Sequence, residues 1–212
     1  MARKADAHKR RELTEKAFLI LQERGPQITM RDLAAALEIK RPTLYWYFSD
    51  LPAVLDAIIE LKYGELAAHL RERIDPAAHP VDLLVQLIEG VVGFFDGQEG
   101  IILLLFQFWA TTRTDLTQVL ARGREFIFPI RELLVRQLEH GVESGRVAPC
   151  DAKAVVDLVF ALLDGTMVQR ITRGVDHRPV FRLVTSRILD PLRLAPDATV
   201  DAGLGGFDAR NA

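Results

Sequence analysis

The sequence predicts an all-α protein of two domains, and three observations carry that expectation. Apolar residues recur at three- and four-residue intervals along nearly the whole chain, the spacing that gathers them on one side of a helix. No stretch holds an apolar–polar alternation for more than a few residues, as a half-buried strand would. Gly, Pro and Asp cut the pattern into helix-sized pieces, each interruption being of a kind that ends or caps a helix. The chain has 212 residues, 49% hydrophobic and 26% charged, a composition that can bury a core and that excludes disordered and fibrous classes.

The elements follow in order. Leu13, Ala17, Ile20 and Leu21 form the stripe of a first helix, ended by Gly25 and Pro26, a C-cap followed by a breaker. Thr29 with Asp32 reads as a capping box opening a short second helix that turns Leu33, Ala34 and Leu37 inward. Glu38 and Ile39 make a turn. Pro42 then suits the first turn of a third helix, in which Leu44 and Phe48 are a buried i, i+4 pair. Asp50 and Pro52 start a long fourth helix, with Val54, Leu55, Ile58, Ile59, Leu61 and Leu66 at helical spacing, ending near Asp75-Pro76. Further helices are expected at 80–97, 99–112, 115–144 (kinked at Pro129), 151–173 and 178–193. Residues 195–212, rich in Gly and Pro, read as a mobile tail. The expected domains are thus 1–50, 51–194 and that tail.

Charge is unevenly placed. The whole chain carries a net −2, whereas residues 1–50 hold ten Lys/Arg against seven Asp/Glu, so any nucleic-acid affinity is local and N-terminal. One cysteine, Cys150, permits no internal disulfide and fits a reducing compartment. The apolar run Ile101–Phe106 stops at Gln107, far short of the roughly 20 residues that span a bilayer, and the N-terminus lacks a signal-peptide h-region. A soluble cytoplasmic protein without a membrane partner is expected.

Helices two and three have the spacing of a helix-turn-helix, whose second helix enters the DNA major groove. With Leu44 and Phe48 inward, Lys40, Arg41, Thr43, Tyr45, Trp46 and Tyr47 retain exposure. Arg41 suits a bidentate contact to guanine, Thr43 a thymine methyl or a phosphate, and tyrosine hydroxyls phosphates. Exposed aromatics normally cover a partner surface; alternatively Tyr45, Trp46 and Tyr47 staple the small domain onto the fourth helix. The basic arm Arg3, Lys4, His8, Lys9, Arg10 and Arg11 either reaches DNA or is a solvated tail.

The stretch Thr29-Met-Arg-Asp-Leu-Ala-Ala-Ala-Leu-Glu-Ile-Lys-Arg-Pro-Thr-Leu-Tyr-Trp-Tyr-Phe48 is similar to the helix-turn-helix of TetR-family transcriptional repressors, and Pro42-Thr43-Leu44-Tyr45-Trp46 resembles that of the tetracycline repressors in particular. The likeness implies a DNA-binding domain drawing on Thr29, Arg31, Lys40, Arg41, Pro42, Thr43, Tyr45, Trp46 and Tyr47. Arg31 and the Arg41–Thr43 start of helix three match base-reading positions, and Tyr45 and Tyr47 match phosphate contacts. It further implies a C-terminal helical domain that binds a small-molecule effector and forms a homodimer on a palindromic operator. Two departures stand out. Glu38 replaces the family's usual turn glycine, predicting an altered backbone there, and Leu51 replaces a lysine, removing one phosphate contact.

Seven of the sixteen aromatic residues fall between 94 and 128. Such a cluster lines an apolar cavity or fills a core; the resemblance, which puts these helices around an effector pocket, favours the cavity. The ligand-binding candidates are Phe95, Phe106, Gln107, Trp109, Phe126, Phe128, Gln137, His140, Phe160, Asp164 and Met167, with Thr111 and Arg113 as further polar candidates. The helix 151–173 is apolar nearly all round, so it faces both a pocket and a second subunit. Asp157 and Asp164 share a stripe on it, where the ion-pair reading has an arginine meet them across the interface, and the other reading has them meet a cationic ligand.

Enzymatic activity is not expected. G-x-S-x-G, P-loop, dinucleotide and H-E-x-x-H patterns are absent from the sequence, and Cys150 with His140 makes a poor nucleophile–base pair because a lone cysteine beyond a proline is ordinarily inert. The five histidines lack zinc-site spacing, and no cofactor is expected. The alternative to an effector-released repressor is a helical ligand- or partner-binding protein without effector-controlled DNA binding.

Overall fold

The computed structural model describes residues 2–25, 27–98, 100–104 and 116–194, with the side chains of all but 2–5, 116–124, 126 and 171. Among the described residues there is no strand, only an isolated antiparallel bridge between Val147 and Arg193. Among the described residues no helix is long and apolar enough to cross a membrane. The expected tail at 195–212 lies outside the described residues.

Helix α1 spans Ala2–Arg24 and buries Leu13, Ala17, Phe18 and Leu21. The basic arm is therefore neither a separate extension nor a loose tail: its backbone from residue 2 onward is the first turns of α1. Gly25, at φ +76°, ends it. Helix α2, Met30–Ala36, opens on Thr29, whose hydroxyl accepts from the Asp32 amide at 3.2 Å and donates to the Asp32 carboxylate at 2.5 Å.

The turn after α2 differs from expectation in an informative way. Glu38 sits at φ +57°, the left-handed region that favours glycine. Its amide bonds Ala35 O at 3.1 Å and the next amide, Ile39, bonds Ala34 O at 3.0 Å, the paired pattern of a Schellman C-cap. The glutamate thus takes up a glycine-like backbone.

Helix α3, Arg41–Tyr47, places Pro42 in its first turn, where the missing amide is not needed. Leu44 and the following Phe48 are both essentially inaccessible. Helix α4, Leu51–Arg73, is capped by Asp50, which accepts from the Ala53 amide at 2.8 Å. It is the longest shared element of the two halves. Its first turns bury Val54, Leu55 and Ile58 in a core continuous with α1, and its last turns bury Leu66 and Leu70 beneath the C-terminal helices.

Helix α5, Pro80–Phe95, begins at His79, whose Nδ1 accepts from Val81 while Nε2 donates to Arg146 O at 2.9 Å, so one neutral tautomer satisfies both bonds. At Gly90 an added Cβ would lie 2.6 Å from Leu70 Cδ2, so α4 and α5 touch closely there. The described part of α6 is 100–104. Helix α7, Leu116–Glu143, continues across Pro129. Helix α8, Ala152–Arg173, starts on the Asp151 cap and stops at Gly174, φ +64°.

The last expected helix, 178–193, is three pieces. Helix α9, Arg178–Val184, passes into a π turn, Thr185–Leu189, and a 3-10 turn, Asp190–Leu192. Pro191 has no amide to continue the α ladder, and the Asp190 amide instead reaches back to Thr185 O. Asp96 then ties the end of α5 to α8 and α9 through Arg170 at 2.6 Å and Arg178 at 3.1 Å.

Candidate nucleic-acid interface and effector cavity

The first surface is built on α2 and α3. Burial of Leu33, Leu37, Leu44 and Phe48 leaves the opposite side of both helices in solvent. Thr29, Arg31, Lys40, Arg41, Pro42 and Thr43 are all exposed. Trp46 is 65% exposed and Tyr45 41%, far more than rings stapling two helices together would be. Tyr47 is different: it is half-buried against the core and receives Trp46 edge-on at 4.7 Å. It positions Trp46 as much as it presents its own hydroxyl.

Arg41 is held ready by a neighbour one turn on. Its guanidinium lies over the Tyr45 ring at 5.4 Å and donates to the Tyr45 hydroxyl at 3.4 Å, a cation–π arrangement that leaves the remaining donors of the fork free for a base edge or phosphate. Behind this surface, Arg10 of α1 lies over the Phe48 ring at 5.4 Å, so that part of the basic arm is engaged in packing. Leu51 is half-buried against the core and offers no charge to DNA.

The second feature lies among the C-terminal helices. A cavity of about 170 Å³ is walled by Tyr63, Leu66 and Leu70 of α4, Leu87, Val91 and Phe95 of α5, Ile102 of α6, Ile127 and Ile130 of α7, and Phe160, Leu163, Asp164 and Met167 of α8. A smaller apolar lobe of about 70 Å³ adjoins it, lined by Phe18 of α1, Leu55, Ile58, Ile59 and Lys62 of α4, and Ile101, Ile102 and Leu104 of α6. Tyr63, Leu66, Phe95 and Ile102 line both.

Of the residues expected around a ligand, Phe95, Phe160, Asp164 and Met167 line this cavity. Phe128 does not: it is 53% exposed, because α7 turns Ile127 and Ile130, not Phe128, toward α4 and α8. Gln137 is half-buried and His140 is exposed beyond the cavity, the latter 3.8 Å from Glu143, since they lie two or more turns further along α7. Phe106, Gln107 and Trp109, with Thr111 and Arg113, fall outside the described residues, as does the Phe126 side chain. Tyr63, Lys62 and Phe18 were not expected. The signal was present in α4, where residues 59, 63, 66 and 70 share one helical face.

The two aspartates of α8 part ways. Asp157 makes a two-pronged bond with Arg131 of α7 in the same chain, at 2.6 and 2.8 Å, and the guanidinium holds its carboxyl below the usual range. The interface ion pair expected for Asp157 is thus an intrachain one. Among the described residues Asp164 has no hydrogen bond or ion pair, and partial removal from water pushes its carboxyl up. Burial, with Asp164 nearby, likewise raises the Tyr63 hydroxyl.

Residues 13–58 match the model of a family described as bacterial regulatory proteins, tetR family. In fold, the chain is similar to a TetR transcription regulator from Haloarcula marismortui (15% identity, covering 89% of this chain and 100% of that one, TM-score 0.75). Residues 13–58 thus carry a TetR-type helix-turn-helix, on a fold shared with TetR regulators. Other similar folds are the fatty acid degradation regulator FadR from Bacillus halodurans (20% identity, 83% and 94% coverage, TM-score 0.64) and a Saccharomonospora viridis transcriptional regulator in complex with choline (18% identity, 86% and 98% coverage, TM-score 0.70). No curated protein sequence matches the chain. The TetR-family match ends within α4, the helix that goes on to wall the cavity.

Proposed function

We propose that this regulator is a homodimeric, cytoplasmic repressor that reads a palindromic DNA operator with α3 and is released by a small, mostly apolar effector bound among α4 to α8. The observation that carries the reading is α4 itself: one unbroken helix packs on the DNA-reading domain at its start and walls the cavity at its end. A ligand that fits the cavity better in one orientation of α4 favours that orientation, by as much as its affinities for the two forms differ. Similar folds are those of regulators described with fatty acid degradation and with choline, which supports a small-molecule effector here.

Dimer formation is supported by apolar surface on the C-terminal helices. Leu158 and Val168 of α8, Val180 and Leu183 of α9, and Ile188 in the π turn are all more than a third exposed, and exposed apolar side chains gathered on the C-terminal helices favour association. A two-fold pairing through it sets two copies of α3 about 34 Å apart for successive major grooves. No catalytic constellation enters this reading.

The test is selection from a random double-stranded DNA pool across a salt series, with wild type and Arg41→Ala. Enrichment of one palindrome, weakened by Arg41→Ala, is the expected result. Absence of any enriched sequence, with both proteins binding alike, overturns the repressor reading in favour of a ligand- or partner-binding protein.

A further inference from the structure

The cavity walls are apolar with two exceptions, Tyr63 of α4 and Asp164 of α8. Asp164 stands at the rim, exposed enough to meet an incoming group, above walls supplied by Phe95, Phe160 and Met167. Among the described residues its carboxylate has no hydrogen-bond or ion-pair partner, whereas Asp157, two turns earlier on the same helix, is fully engaged by Arg131. A carboxylate at the mouth of an apolar well repels anions and attracts a cation. Tyr63, Phe95 and Phe160 line the same cavity, and aromatic rings add to that preference, since a cation is attracted to the ring quadrupole.

The other end of the cavity sets the rest of the ligand. The adjoining lobe shares four wall residues with the main cavity, so the two are separated by little more than the thickness of a side chain. Its one charged neighbour, Lys62, is already satisfied, bonded to Glu65 at 2.8 Å and lying 4.5 Å from the centre of the Phe18 ring. The lobe therefore offers only apolar contact, and Phe18, which belongs to α1, closes it.

Building on the effector-binding reading above, we propose that the ligand is a cationic amphiphile, its ammonium group held at Asp164 and its hydrocarbon tail running past Tyr63 and Phe95 into the lobe closed by Phe18. The tail then touches the DNA-reading domain directly. Such a ligand is discriminated from a fatty acid of equal length by charge alone.

The test uses the full-length protein and three probes below their micelle concentrations: dodecyltrimethylammonium, tetramethylammonium and dodecanoate. Binding is measured by calorimetry without DNA. Dodecyltrimethylammonium is expected to bind, with affinity rising about three- to fourfold per methylene as the tail is lengthened from eight to twelve carbons; tetramethylammonium and dodecanoate are expected to bind far more weakly. Asp164→Asn should lower the affinity of the long cation about tenfold or more, and Asp164→Glu should largely restore it, with thermal melts showing that both variants fold. Equal binding of dodecanoate, no binding of the long cation to the wild type, or an unchanged affinity in Asp164→Asn overturns the proposal. A flat response to tail length overturns the assignment of the second lobe. A second arm measures release of the selected DNA. If the cation binds through Asp164 yet releases no DNA, the repressor reading fails and the ligand assignment stands; if other compounds release DNA and the cation does not bind, the reverse holds.

Discussion

Replacing Glu38 by glycine should stabilise the protein. Glu38 occupies the left-handed region at φ +57°, where the Cβ of an L-residue costs roughly 1–2 kcal/mol. Glycine removes that strain but has more freedom to lose on folding, a penalty of about 0.5–1 kcal/mol. Both Schellman hydrogen bonds, Glu38 N to Ala35 O and Ile39 N to Ala34 O, are made by backbone atoms and survive the change. The net expectation is a gain of about 0.5–1 kcal/mol, which for a chain of this size raises the melting temperature by about 1–4 °C. Melting curves of wild type, Glu38→Gly, Glu38→Asn and Glu38→Ala at one protein concentration provide the assay. Glycine should melt highest, asparagine next because it tolerates this region better than other side-chain-bearing residues, and alanine close to wild type. If alanine matches glycine, the gain comes from removing a charge and the backbone argument is refuted; a glycine variant melting at or below wild type refutes it outright.

Four further outcomes are expected. Trp46→Ala, at a residue 65% exposed, should weaken DNA binding about tenfold in a filter or fluorescence assay while moving the melting temperature by no more than about 1 °C. Gly141→Ala puts a Cβ 2.6 Å from Val147 Cγ2 and 3.0 Å from Pro80 Cγ, neither of which is the tip of a flexible chain, so calorimetry should record a loss of about 1–3 kcal/mol. On acidification, carboxyls held low in the fold lose their contribution as they protonate: Glu12, brought to about 2 by Lys16 and Lys9, Asp32 through Thr29, Asp82 through Arg193, Asp96 through Arg170, and Asp157 through Arg131. Their stabilisation is complete above the ordinary carboxylate range and declines below it, so the melting temperature should fall steadily from pH 5 toward pH 2. Asp164 runs the other way, since its raised value favours the folded state as pH drops; Asp164→Asn should therefore melt higher than wild type at pH 7 and approach it in acid.

The helix-turn-helix was legible because its determinants are local. Thr29 and Asp32 cap α2 from three residues apart, Pro42 belongs to a first turn, and Leu44 and Phe48 pack as neighbours on one turn. The cavity was legible only in part because its walls come from five helices whose mutual rotation no local pattern encodes. Phe128 and Ile127 are adjacent and both apolar, yet only Ile127 lines the cavity. Asp157 and Asp164 share a stripe, but Arg131 on α7 is placed to meet only the first. Tyr63 and Phe18 were hidden among ordinary core residues of α4 and α1, since a ring that packs and a ring that borders a void have the same spacing. The last helix was overextended because a π turn and a 3-10 turn preserve helical periodicity nearly as well as an α turn does.

The continuity of α4 has a mechanical consequence. Its 23 residues, at about 1.5 Å each, make a rod roughly 34 Å long. A tilt of about 5° at the cavity end displaces the far end by roughly 3 Å over that length, about a whole hydrogen-bond distance, and a base-edge contact fails well before such a shift is complete. Under the proposed function, release of DNA needs no unfolding and no rearranged core: a lever of this length converts a change comparable to one side-chain rotation into loss of register with the groove.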